Sequence, residues 1–199
     1  MEHTFLLLLA INIKNIFFTM EKNVIFVLFG ILYIFFCLCK RSMKHKFRIF
    51  NVVGDGNCMY YAIASSLFYD TFKKFPTEKQ YIKFGKHLRV IASISLYKEI
   101  ENNNETVIQI LSSEVKSSET NHKKRANIYV KNMLKQKYWG GCIELFALSK
   151  YIHKQGYKGI EVYDENLKRF PNFCSKLKKK GKSLNIIFTG NHFKSLILI

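Results

Sequence analysis

The chain has 199 residues, 32 Lys and Arg against 14 Asp and Glu, and a formal net charge of +18. Its hydrophobic share is 48% and it has only two prolines, which excludes a low-hydropathy, Pro-rich disordered chain. Five cysteines, an odd number with no C-x-x-C pair, argue against both a disulfide framework and a zinc ribbon and point to a reducing compartment.

In chain order, the first apolar stretch is FLLLLAINI at residues 5–13. It has the length of a signal-peptide h-region, but no A-x-A-like cleavage site follows. Residues 24–39 then read VIFVLFGILYIFFCLC without a charge. As a helix this run would span about 24 Å, and snorkelling of Lys22, Lys40 and Arg41 can close the gap to a hydrocarbon layer of about 30 Å. The basic cluster Lys40, Arg41, Lys44, Lys46 and Arg48 follows the run, so the positive-inside bias keeps the rest of the chain cytoplasmic. Residues 1–42 are therefore expected to be a membrane anchor preceding a domain over residues 43–199. Cys37 and Cys39 close this run as apolar members of it. Met43 is an alternative start that would give a cytoplasmic domain without the anchor.

Beyond Met43 the pattern becomes that of a mixed domain. Residues 47–53 (FRIFNVV) read as a strand, Gly54-Asp55-Gly56 as a turn, and the segment from Cys58 as a helix. Thr77 with Gln80 three residues on resembles a capping box, opening a helix with Tyr81, Phe84, Leu88, Ile91 and Ala92 on one face. Further helices are expected over residues 106–115, 126–135 and 143–153, with 116–124 as a polar connection and Trp139-Gly140-Gly141 as a break. Residues 159–163, 184–189 and 193–199 are β-rich, with a basic loop over 176–182. Helices in the middle and strands mostly at the end give an α+β class with a small antiparallel or mixed sheet.

Chemistry concentrates at Gly54-Asp55-Gly56-Asn57-Cys58. A cysteine after a glycine turn and at a helix N-terminus faces unpaired N–H groups that can stabilise a thiolate and hold a developing oxyanion. The plain alternative is a small buried hydrophobe. A thiolate nucleophile needs a histidine, and of six only His192 sits in a turn between two late strands, in Gly190-Asn191-His192-Phe193.

Three blocks carry a family resemblance: GDGNCMYYAIA at 54–64, WGGCIELFALSKYI at 139–152 and GNHFKSL at 190–196. In this order they resemble the OTU (ovarian tumour) cysteine proteases, across residues 47–199. The resemblance implies a papain-type protease fold and a deubiquitinase that cleaves isopeptide bonds after the diglycine tail of ubiquitin or a ubiquitin-like protein, without metal or organic cofactor. It implies Cys58 as nucleophile and His192 as general base. Asp55, Gly56 and Asn57 fall on the loop that, with Cys58, lines the oxyanion hole, and Trp139, Gly140 and Gly141 on the block beside the substrate-tail channel. Glu144 and Leu145 fall on helix positions supporting that block.

One position departs from the family. Two residues after the histidine, where many members place Asn or Asp to orient the ring, this chain has Lys194, and a cation cannot accept the imidazole N–H. Asp55 is the first candidate for that role and Asn191 the second, and an impaired module that binds ubiquitin is the alternative. Residues 43–199 carry 28 basic and 12 acidic residues, +16, so the excess charge belongs to the domain. Lysine-rich patches at 122–125 and 176–182 raise nucleic acid or anionic lipid as partners, but no base-stacking motif accompanies them, and nucleic acid is not the expected partner.

Overall fold

Helix signals and late β-rich segments fold into one α+β unit running from Phe47 to Ile199 in the computed structural model. The structure describes residues 47–135, 138–171 and 181–199. The expected anchor with Cys37 and Cys39, Cys174 and most of the basic loop at 176–182 lie outside the described residues.

Among the described residues five helices and four strands follow in the order β1 (Phe47–Phe50), α1 (Cys58–Phe72), α2 (Glu78–Glu101), α3 (Glu105–Ser113), α4 (His122–Met133), α5 (Cys142–Lys154), β2 (Gly159–Tyr163), β3 (Ser183–Phe188) and β4 (Phe193–Leu198). The sheet order is β1-β4-β3-β2. β4 is antiparallel to both neighbours, whereas β2 and β3 are parallel, so the sheet is mixed. A parallel pair needs a long connection, and β2 and β3 are separated by 19 residues in the sequence, between Tyr163 and Ser183.

α1 forms the centre of the domain. Its residues from Cys58 to Leu67 are all buried, because one side packs on β3 and β4 and another on α2. At the sheet interface the Ser66 hydroxyl donates to the Asn185 carbonyl at 3.1 Å and lies 2.6 Å from the Ser195 hydroxyl, so these polar groups are paired inside the core. At the α2 interface Gly85 lies against Tyr61: a Cβ there would meet the Tyr61 ring at 2.3 Å. Tyr81, Leu88 and Ala92 of α2 are buried as the spacing predicts, with Phe84 and Ile91 half-buried.

Two boundaries differ from the sequence reading by three residues or more. β1 ends at Phe50, because the Val53 N–H donates to the Tyr81 hydroxyl at 3.3 Å instead of a strand partner. α4 begins at His122 inside the expected connection, because the Asn121 side chain accepts from the Lys124 N–H at 3.0 Å and caps the helix.

Among the described residues no helix is long and apolar enough to cross a membrane.

Candidate active site

The glycine loop and the late hairpin bring the chemical residues together. Gly54, Asp55, Gly56, Cys58, Trp139, Asn191 and His192 line one pocket of about 310 Å³. Cys58 is the first residue of α1 and is buried. Burial pushes its thiol up from the ordinary range; the backbone N–H groups of Phe193, Met59 and Cys58 favour the anion, and the Asp55 charge opposes it. The expected lowering by a helix N-terminus is thus present in the Cys58 and Met59 amides, but burial outweighs it.

His192 ends the turn between β3 and β4. Gly190 takes φ +84°, which a tight turn favours at that position, and the Thr189 N–H donates to the His192 carbonyl at 2.9 Å. The imidazole packs over Gly54, where a Cβ would lie 3.5 Å from Nδ1. Among the described residues the ring has no hydrogen-bond partner. The other described histidines differ: His122 Nδ1 lies 2.9 Å from the Ser112 hydroxyl, His153 Nδ1 lies 3.0 Å from the Tyr157 carbonyl, and His87 lines a separate groove.

Asp55 is engaged within its own loop. Oδ1 accepts from the Asn57 N–H at 2.9 Å and from the Asn57 side chain at 3.1 Å, and Oδ2 accepts from the Tyr61 hydroxyl at 3.0 Å. Burial acts to raise its pKa, but these hydrogen bonds outweigh it and hold the carboxyl below the usual range. The structure therefore does not bring Asp55 into a hydrogen bond with His192. Asn57 is buried under the loop, with its N–H already donated, and does not line the pocket. Asn191 lines the pocket from an exposed position beside the histidine, and Lys194 is half-buried on β4 opposite Ile187.

Trp139 stands 59% exposed between this pocket and a neighbouring one of about 510 Å³ that Gly140 and Gly141 also line. A Cβ on Gly140 would meet Met59 at 2.5 Å and Tyr60 at 3.2 Å, so this glycine is small because α1 approaches it closely. Glu144, fully buried, accepts from the Gly141 N–H at 2.7 Å and the Tyr129 hydroxyl at 2.5 Å, which fixes the turn into α5. Burial pushes its carboxyl up. Leu145 is buried in the core beside it.

The sequence reading missed Arg89, Tyr61 and Tyr81, which support the loop from α1 and α2. The signal for Arg89 was present: it lies on the stripe of Gly85, Leu88 and Ala92, where an arginine needs internal partners.

No curated protein sequence matches the chain. Solved structures similar to it include the viral OTU domain protease from Farallon virus, at 23% identity over 77% of this chain and 85% of that one, with a TM-score of 0.49. An OTU deubiquitinase from Wolbachia pipientis wMel bound to ubiquitin is similar at 15% identity over 76% and 96%, with a TM-score of 0.48. The Hazara virus OTU bound to ubiquitin is similar at 21% identity over 77% and 82%, with a TM-score of 0.41. The family model described as OTU-like cysteine protease matches residues 53–169, from the glycine loop through the Trp139 block. With more than half of its length matched, the chain belongs to the OTU-like cysteine protease family.

Proposed function

We propose that the protein is a deubiquitinase that hydrolyses isopeptide bonds after the C-terminal diglycine of ubiquitin or a ubiquitin-like protein. The observation that carries this reading is the shared pocket of Cys58, His192 and the Asp55-Gly56 loop. In the mechanism, the Cys58 proton passes to His192 as Sγ attacks the glycine carbonyl, and the first-turn amides of α1 face the oxyanion. Collapse breaks the C–N bond, His192 returns the proton to the leaving lysine amine, and a thioester remains. Water, deprotonated by His192, then attacks the thioester and releases the ubiquitin carboxylate and the Cys58 thiol. The exposed Trp139 and the Gly140-Gly141 groove offer a channel for the extended tail.

The test is a ubiquitin probe with a C-terminal electrophile. The adduct is expected on Cys58 and is expected to vanish in Cys58→Ala; a folded chain that labels with no ubiquitin-type probe would overturn the protease reading. Lys194 and a His192 ring without a hydrogen-bond partner among the described residues favour one second reading, an impaired module that binds ubiquitin without cleaving it. That reading predicts ubiquitin binding in the absence of any adduct.

Membrane association is proposed through residues 24–39, on the strength of their uncharged run and its basic flank. The full chain is expected to stay with membranes through carbonate extraction and residues 43–199 to be released. Release of both would remove the anchor.

A further inference from the structure

Arg89 is a buried cation, 5% exposed, and among the described residues it has no ion-pair partner. Its guanidinium instead serves four backbone carbonyls. Nη1 donates to Met133 at 2.6 Å and Lys135 at 3.2 Å, and Nη2 donates to Gly56 at 2.8 Å and Tyr138 at 2.5 Å. All four Nη hydrogens are thereby used, and the fork stacks 4.7 Å from the Tyr60 ring centroid. Met133 is the last residue of α4 and Lys135 follows its C-cap, so the guanidinium sits at the helix end, where a cation is favoured by the unpaired carbonyls.

The Gly56 carbonyl and the Asn57 N–H are the two ends of one peptide unit. Arg89 holds the first end, and Asp55 Oδ1 holds the second at 2.9 Å. That plane is therefore pinned from both sides immediately before Cys58. With the Asn57 N–H committed to Asp55, the backbone N–H groups of Cys58 and Met59 in the first turn of α1 are the donors beside the Cys58 sulfur. The same guanidinium grips Tyr138, the residue before Trp139, so it couples the nucleophile loop to the substrate-tail block.

We propose that Arg89 is a positioning residue: it locks the Gly56–Asn57 peptide and sets the spacing between the Cys58 loop and Trp139. The inference rests on the deubiquitinase reading above. Because the pinned plane shapes the oxyanion site, its loss acts on the transition state more than on ground-state binding.

The experiment measures kcat and KM on ubiquitin carrying a C-terminal fluorogenic amide, for the full chain and for Arg89→Lys and Arg89→Gln, with thermal melting to confirm folding. Lysine keeps the charge but has three donors for four carbonyls. Both folded variants are expected to lose kcat by about 10–100-fold, with KM within about threefold of the parent. Gly56→Ala, which strains the same peptide at φ +86°, is expected to lose kcat similarly, and the double variant to be little worse than either single one. Unchanged kcat in a folded Arg89→Lys protein, or additive losses in the double variant, would overturn the proposal. Should neither Arg89 variant fold, Gly56→Ala decides: a kcat loss at unchanged KM supports the pinned plane, and full activity refutes it. An inactive parent chain overturns the protease reading and the inference with it, whereas an active parent with unaffected variants overturns the inference alone.

Discussion

Asp55 shows how a residue type in a motif can be right while its partner differs. A carboxylate two residues before an amide N–H closes an Asx turn, and that local bond competes with any bond to His192. The two roles separate by substitution. Asn keeps the acceptor oxygen that receives the Asn57 N–H but lacks the charge, so Asp55→Asn is expected to stay within about tenfold of the parent kcat/KM. Asp55→Ala frees the loop and is expected to lose about a hundredfold or more, near the effect of losing an oxyanion donor. Equal, severe losses in both variants would assign the charge to His192 instead. Cys58 and His192 were legible because each follows a turn that the sequence marks with glycine. The partners of the loop's supports, Tyr61, Tyr81 and Arg89, were not, even where the place of Arg89 on the buried stripe was, since their polar atoms reach residues 6, 28 and 33 positions away.

At the scale of elements, periodicity located every described helix, and the errors lie at their ends, where a single side chain decides. Asn121 extends α4 toward its N-terminus because its side chain satisfies a first-turn N–H. In the α1–α2 pair the decisive position is Gly85, which looks like an unfavourable residue inside a 24-residue helix. Its absence of a side chain admits the Tyr61 ring, which in turn reaches Asp55. Gly85→Ala raises helix propensity but overpacks this contact. It is expected to destabilise the domain by about 1–3 kcal/mol in denaturant melts, whereas propensity alone would stabilise it. Unchanged or increased stability would mean that α1 and α2 separate at little cost. The parallel β2–β3 pair was outside the reach of local patterns, since a strand carries no mark of its partner's direction.

Among the described residues, the excess of basic side chains gives Asp70 and Glu161 two cationic partners each. Asp70, on α1, receives hydrogen bonds from Lys73 at 2.8 Å, Tyr157 at 2.5 Å and Lys182, which ties the helix to the chain entering β2 and β3. Burial acts to raise its pKa, but these bonds outweigh it and hold the carboxyl well below the usual carboxylate range. A depressed folded pKa contributes stability that is fully present above about pH 4 and is lost as pH falls further toward the folded value. Asp70→Asn is thus expected to lower Tm most at neutral pH, with the two Tm curves converging as pH drops from 4 to 2; parallel curves would show that Asp70 carries no such linkage.

By itself, the sequence determined the α+β class, the order of elements, the family, and the pair of turns that present Cys58 and His192. Those features depend on neighbours within a few residues: hydrophobic period, turn glycines and caps. Tertiary structure decided which groups complete the loop, because Arg89 and Asp55 act on one peptide plane only once α1 and α4 have both packed against α2. Hydrogen-bond partners over such separations are set by packing geometry, which no local spacing encodes.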